Sequence, residues 1–257
     1  MSGGIVAVTS LALEARIALG AGVSVICGQG GHLAGALERA VSDGVSGIIS
    51  FGVAGGLAPG LVAGDWIAAA AVRTKQKSFP TDQQWTRVLL ERLPGAVHAD
   101  IVGVDVPLAD PMEKQLLHAE TGAAAVDMES HIAARIAAVH RIPFVACRTI
   151  IDAAHKPLPP AALIGLRPDG TADVPAVFRS LLQRPGQLIA LVHTALDARI
   201  ARAALRQGQS VLGQGLSFPG FSNARPDLCV VMHAETSSQS PRSNEIPSRR
   251  VCTGLAN

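Results

Sequence analysis

The sequence has no tyrosine, and aromatic residues make up only 3% of its 257 positions. Any core must therefore be assembled from Ala, Val, Leu and Ile. Charged residues are also scarce, at 16% against a usual value of about 25%, so the surface is expected to be apolar or covered by other subunits. The net charge of +2 is too small for a nucleic-acid partner. Four cysteines (Cys27, Cys147, Cys229, Cys252) are scattered with no C-x-x-C pair. That spacing argues against a zinc or disulfide framework and for reduced thiols in the cytoplasm. No run of 18 apolar residues occurs, so no membrane span is expected, and no basic residue precedes Arg16 to open a signal segment.

What is present is a hydrophobic content of 48%, ample for one large α/β unit at this length. Gly4 to Thr9, Val23 to Cys27, Gly47 to Phe51 and Trp66 to Val72 read as buried strands. Leu33 to Val41, Thr81 to Leu93, Met112 to His118 and Ser130 to Val139 read as helices. Alternating short strands and helices imply a mainly parallel sheet between helical layers. After Asp152 come Pro157, Pro159, Pro160 and the turn Arg167-Pro168-Asp169-Gly170, then a long helix from about Gln187 to Arg206. From Gly213 the chain is rich in Ser, Pro, Asn and Arg without periodicity. The division is thus one domain over 1–212 and a poorly ordered tail over 213–257.

The chemistry concentrates between Ala123 and Asp152. One apolar run ends in Asp127-Met128-Glu129, and a second, Phe144 to Ile151, ends in Asp152. Acids at the carboxyl ends of parallel strands lie where open α/β sheets bind ligands. Each acid also has a bland reading. Asp127 and Glu129 can cap or open the following helix, and Asp152 can cap before the proline-rich loop. His131 and His140 are expected to face solvent or pack, and His155 and Lys156 are weaker candidates. Gly28-Gln29-Gly30-Gly31 fails the dinucleotide pattern because position 33 is Leu, and no Lys-Ser or Lys-Thr follows either glycine loop. Ser50-Phe51-Gly52-Val53-Ala54-Gly55-Gly56-Leu57 carries more glycine than a turn requires, and closely spaced glycines let a backbone approach a sugar or an anion.

These segments together resemble the purine and uridine phosphorylase superfamily, which includes the hydrolytic methylthioadenosine/adenosylhomocysteine nucleosidases. Val126-Asp127-Met128-Glu129-Ser130 is similar to its Met-Glu signature, Ser50 to Pro59 with Gly64-Asp65 to its glycine loop and following strand, and Arg148-Thr149-Ile150-Ile151-Asp152 to its Arg-x-Ile-Ser-Asp motif. The resemblance covers roughly Gly4 to Pro160. Val126 to Arg135, Ala109 to Pro111 and Leu158 to Leu163 look more particularly like the hopanoid-associated branch, which by family releases adenine from adenosylhopane.

The resemblance implies a three-layer α/β/α phosphorylase-type fold around a mixed, mostly parallel sheet, and cleavage of the N-glycosidic bond of an adenine nucleoside. By the same carry-over, Asp152 protonates or hydrogen-bonds the departing purine, Glu129 holds the ribose hydroxyls, Met128 packs on the sugar, and Glu14 falls near the nucleosidases' water-activating glutamate. Val53, Ala54 and Gly55, with Val106 and Pro107, complete the expected substrate-binding set. No cofactor is implied, only phosphate or water as co-substrate, and a homo-oligomer is expected. Two positions depart from the family. Ser50 and Val53 stand where phosphorolytic relatives carry phosphate ligands, which leaves Arg16 as the candidate cation, and Ile151 replaces a serine before Asp152. A soluble nucleosidase and a non-catalytic nucleoside-binding protein remain as alternatives. The helix with Leu188, Val192, Leu196, Ile200 and Ala204 on one side and several arginines beside them either packs on the sheet or rests on anionic lipid as a peripheral contact.

Overall fold

A computed structural model of the chain describes residues 4–164 and 173–221. The turn Arg167 to Gly170, Cys229, Cys252 and the tail beyond 221 lie outside the described residues. In chain order the elements are β1 (Gly4–Thr9), α1 (Ala12–Leu19), β2 (Ser24–Cys27), α2 (Gly30–Ser42), β3 (Val45–Gly56), β4 (Trp66–Arg73), β5 (Ser78–Pro80), α3 (Gln83–Arg92) and β6 (Val97–Gly103). Then follow α4 (Pro111–Thr121), β7 (Ala125–Asp127), α5 (Ser130–His140), β8 (Phe144–Asp152), α6 (Pro160–Ile164), α7 (Val174–Gln183) and α8 (Leu188–Leu212).

The strands form one mixed, mostly parallel sheet. β1 runs parallel between β2 and β3, β3 is parallel to β8, and β4 to β6 and β6 to β7 are also parallel. The antiparallel contacts are β3 with β7, β4 with β8 and β4 with β5. Followed around, β3, β8, β4, β6 and β7 close on themselves, so part of the sheet is a barrel rather than an open surface. Helices cover both faces, as the α/β/α expectation holds. Side chains alternate across each strand, and the two faces sort accordingly. Val6, Val8, Ile48 and Ala146 pack with Leu37 of α2 and Ile132 and Ile136 of α5. Ile5, Ala7, Ile49, Val145 and Cys147 pack with Ala18 of α1, Leu89 of α3 and Leu205 of α8.

Two expectations are corrected here. Leu188, Val192, Leu196 and Ile200 do not pack on the sheet; all are exposed, and the buried row of α8 is Ala201, Leu205, Gly208 and Leu212. The helix turns its second half to the body and leaves the first half's apolar row uncovered, because the two rows lie on different sides of the same helix. The tail boundary also moves. Gln214–Ser217 forms a 3-10 turn, Leu216 is fully buried, and its carbonyl accepts the indole N–H of Trp85 at 3.0 Å. Phe218 meets the Trp85 ring edge-on at 4.8 Å. A buried indole needs a hydrogen-bond acceptor, and the segment after α8 supplies it. Among the described residues, no helix is long and apolar enough to cross a membrane.

Candidate active site

β3 is the spine of the site. The glycine-rich stretch expected as a loop is strand through Gly56, paired with β8 so that Gly52 sits opposite Arg148 and Gly55 opposite Asp152. Gly52 has φ +156°, and a Cβ there would lie 2.6 Å from the Glu14 carboxyl carbon and 2.7 Å from an Arg148 guanidinium nitrogen. Only glycine leaves room for both side chains over the strand. Between Ala54 and Gly55 the register with β8 slips, so that Ile151 is an extra residue just before Asp152. Such bulges re-aim the neighbouring side chain.

The first half of the site is built around Arg148, fully buried on β8. Its guanidinium is 2.8 Å from Asp127 and 3.4 Å from Glu129, donates to Ser50 Oγ at 2.6 Å and to the Val53 carbonyl at 3.4 Å. Ser130 Oγ donates to Asp127 and is hydrogen-bonded to Ser50 Oγ at 2.9 Å. Glu14 enters from the first turn of α1. One carboxylate oxygen accepts from the Val53 amide at 2.7 Å. The other accepts from the amides of Ser10 and Leu11, each at 3.0 Å, an arrangement that closes the N-terminus of α1.

Three buried carboxylates thus face one cation. Burial, and then the charges of Asp127 and Glu14, push Glu129 up to about 8 against the pull of Arg148. Arg148 is held above the usual guanidinium range by the same carboxylates, against its own burial. Glu129 is distinguished by its second oxygen, Oε1, which is buried and has no hydrogen-bond partner among the described residues. A buried acceptor left unpaired is costly, and here it is the group available to a ligand.

The second half is Asp152, buried at the end of β8 and ion-paired with Lys114 of α4, itself fully buried. Lys114 also donates to the carbonyls of Ala153 at 3.2 Å and Lys156 at 3.3 Å. Burial raises Asp152 above the ordinary carboxylate value while Lys114 opposes the rise. Lys156 bonds Asp197 of α8 at 2.5 Å. A Cβ on Gly55 would lie 3.5 Å from the Asp152 carboxylate and 3.3 Å from Val126. The two halves are therefore joined along β3, from Val53 to Gly55, a separation of about 7 Å for two residues of strand.

Glu14, Glu129, Val53 and Asp152 accordingly converge, with Ala54 and Gly55 between them. Val53 contributes its backbone, both groups of which are engaged by Glu14 and Arg148. Met128 is half-buried beside them. Val106 and Pro107 lie exposed on the loop between β6 and α4, after Gly103, whose strand partner is Asp127. Arg16 does not join the site. It is exposed on α1, beside Arg206 and Gln209 of α8; two residues from Glu14 on a helix, it points to the other side. Asp127 fills both of its readings, bonding the first amide of α5 at 3.2 Å and pairing with Arg148. His131 and His140 are engaged by Asp105 and Glu38. Burial pushes the Cys147 thiol up to about 12, which leaves it inert at neutral pH.

Ser130 and Arg148 stand out in the sequence only as parts of the motifs quoted above, and Lys114 does not stand out at all. A charge inside an apolar strand signals a buried counter-charge, and that signal was present for Arg148. Lys114 sits on an ordinary amphipathic helix and gave none.

A buried, charge-coupled set of acids thus lies at the carboxyl ends of strands in a layered α/β fold, where enzymes of this architecture bind their ligands. The chain belongs to the phosphorylase superfamily, whose family model matches residues 17–190. No curated protein matches the sequence. Among solved structures, the fold is similar to the 5′-methylthioadenosine/S-adenosylhomocysteine nucleosidase of Campylobacter jejuni, with 13% identity, 80% of this chain and 100% of that chain covered, and a TM-score of 0.55. It is also similar to the futalosine hydrolase of Helicobacter pylori, with 15% identity, 82% and 98% coverage and a TM-score of 0.56. A third is the methylthioadenosine/adenosylhomocysteine nucleosidase of Colwellia psychrerythraea in complex with adenine, with 17% identity, 81% and 96% coverage and a TM-score of 0.54.

Proposed function

We propose that this protein cleaves the N-glycosidic bond of an adenine nucleoside. The observation that carries the reading is the division of charge along β3. Breaking an N-ribosyl bond leaves positive charge on the sugar and negative charge on the base. The half of the site around Glu14, Asp127 and Glu129 has more carboxylates than Arg148 can neutralise, which suits a cationic sugar. The other half offers Asp152 backed by the Lys114 ammonium, which suits an anionic base. Stabilising charge where it develops is the main lever of such catalysis. In this reading Asp152 gives a proton to the base, Glu129 receives the ribose hydroxyls on its unpaired oxygen, Met128 packs on the sugar, and Glu14 orients the attacking group.

Water is the acceptor the described residues favour. The two end nitrogens of Arg148 are held by the carboxylates, Ser50 and the Val53 carbonyl, its Nε is buried, and Arg16 faces elsewhere, which disfavours phosphate. For the substrate's 5′-substituent we favour a large apolar group, as in adenosylhopane. The exposed apolar row of α8 lies beside the Asp152 end of the site: Asp197 holds Lys156, and Ile200 would lie 3.0 Å from a Cβ on Gly64. The same half-helix, with Arg199 and Arg202 exposed, supports a peripheral contact with anionic lipid. The test is adenine release from adenosine, 5′-methylthioadenosine and adenosylhopane, with and without phosphate. Release at equal rate in phosphate-free buffer establishes hydrolysis, a sugar 1-phosphate product establishes phosphorolysis, and no release from any of them refutes the reading.

A further inference from the structure

Arg16, the cation that the catalytic centre leaves out, lines an open cleft of about 300 Å³ between α1 and α8, together with Leu13, Ile17, Gly20, Arg206 and Gln209. Two arginines therefore face one space, and no acid lines it. Both are exposed, and among the described residues neither guanidinium is paired with a carboxylate. Helix-end electrostatics accounts for only one of them. Arg16 stands in the last turn of α1, where the dipole favours a cation, but Arg206 stands well before Leu212, the last residue of α8. The floor of the cleft is apolar, with Ile17 buried and Leu13 half-buried. Such low-dielectric walls focus the field of the two cations into the space between them. Gln209 reaches across from α8, for its Nε2 would lie 3.6 Å from a Cβ on Gly20 at the end of α1. Glu14 points to the other side of α1, so this cleft and the catalytic centre are separated by the helix.

We propose that the cleft between α1 and α8 is a binding site for a phosphate monoester group, distinct from any co-substrate site. A planar guanidinium takes two phosphate oxygens at once, and the Gln209 amide can donate a further N–H. A phosphate monoester carries about −1.5 to −2 charges at pH 7, which matches two arginines. A carboxylate carries one charge and would leave one of the cations uncompensated. The phosphate can belong to a soluble metabolite or to a lipid headgroup, since the chemistry recognised is the same. Arg206 lies two turns along the same side of α8 as Arg199, beside the exposed apolar row that ends in Ile200. The inference does not rest on the nucleoside-cleaving reading, because neither arginine touches the catalytic residues.

The test titrates the full chain, labelled with 15N, with inorganic phosphate at pH 7.5 and follows its amide resonances. The wild type should saturate with one phosphate per chain at about millimolar concentration. Arg16→Gln and Arg206→Gln should each weaken binding at least about tenfold, the worth of a charge-assisted bidentate contact. Arg184→Gln and Arg199→Gln, which remove exposed arginines outside the cleft, should change it less than about twofold. A second arm floats the protein with phosphatidylcholine vesicles that contain or lack phosphatidic acid. Capture by phosphatidic acid that free phosphate displaces, and that Arg16→Gln loses, assigns the site to a lipid headgroup. Phosphate binding without such capture assigns it to a soluble ligand. Absence of saturable phosphate binding in the wild type, or equal losses in the cleft variants and in Arg184→Gln and Arg199→Gln, would overturn the proposal, the latter by showing a diffuse charge effect. Circular dichroism of each variant separates loss of the site from loss of the fold, and the double substitution to Lys, which keeps both charges but not the bidentate geometry, should recover only part of the affinity; full recovery would overturn the bidentate site.

Discussion

Replacing Glu129 by Gln should remove a pH dependence of stability that the native protein carries. Glu129 is raised from 4.5 to about 8, chiefly by burial and then by Asp127 and Glu14. A carboxyl with a raised native value binds its proton more tightly when folded than when unfolded. Its contribution is present in full below about 4.5 and is lost as pH climbs through about 8. At ~1.4 kcal/mol per pH unit, the full window corresponds to about 5 kcal/mol. That figure is a ceiling, because the charges of Arg148, Asp127 and Glu14 all act on Glu129. Gln has nearly the same shape and no titration, so the variant's stability should be flatter across the window.

The assay is urea unfolding of both proteins at pH 5 and pH 9, read as the difference between them. Asp152, also raised by burial, tilts the stability curve in the same direction, but it does so in both proteins and cancels in the difference. The variant should gain on the wild type by several kcal/mol between the two pH values. Parallel curves would refute the reasoning, for they would mean that Glu129 is ionised in the native cluster and that Arg148 outweighs its burial.

Asp152→Asn should lower turnover by about two to four orders of magnitude with the fold intact, the usual worth of a positioned acid; near-native turnover in a folded variant would remove Asp152 from the chemistry. Glu129→Ala should reduce kcat/KM for ribosides far more than for 2′-deoxyribosides, and equal losses would show that its free oxygen does not meet the hydroxyls. Gly52→Ala places a methyl group 2.6 Å from the Glu14 carboxyl carbon, so it should cost about 1–3 kcal/mol in thermal or urea unfolding, and an unaffected variant would contradict the packing over β3. For the membrane contact, the protein should co-sediment with anionic but not neutral liposomes at low salt, at roughly 1 kcal/mol per nearby arginine, and the triple change Arg199→Gln, Arg202→Gln and Arg206→Gln should release it; no sedimentation with anionic liposomes sets that contact aside.

The parts of this fold that were legible in the sequence are those whose information is local. Val126 to Glu129 and Phe144 to Asp152 announce buried strands tipped with acids, and both are found at the site. The stretch after Phe51 is strand although its glycines read as strand breakers. Gly52 and Gly55 stay in β3 because Glu14, Arg148 and Asp152 occupy the space their side chains would take. β6, whose sequence mixes His98 and Asp100 with its apolar residues, offers too weak an alternation to be seen alone. The row on α8 had the right period for a core face, yet periodicity states only that a helix has a side. Which side meets the sheet is decided by where the chain re-enters it.

The least legible feature is the one that divides the site into two. Lys114 and Asp152 are 38 residues apart, on a helix and a strand that nothing local relates. A lysine on an amphipathic helix is normally solvated, so its burial is visible only once the loop from β6 has carried α4 across the end of β8. Arg148 is the opposite case. A guanidinium between Cys147 and Thr149 in an apolar strand cannot be solvated, so it must find carboxylates, and Asp127 and Glu129 are those carboxylates. A buried cation in an apolar strand thus requires buried acids beside it, and the end of the preceding strand supplies them. Lys114 reaches Asp152 through the topology alone, and with it comes the separation of charge along β3 on which the proposed cleavage rests.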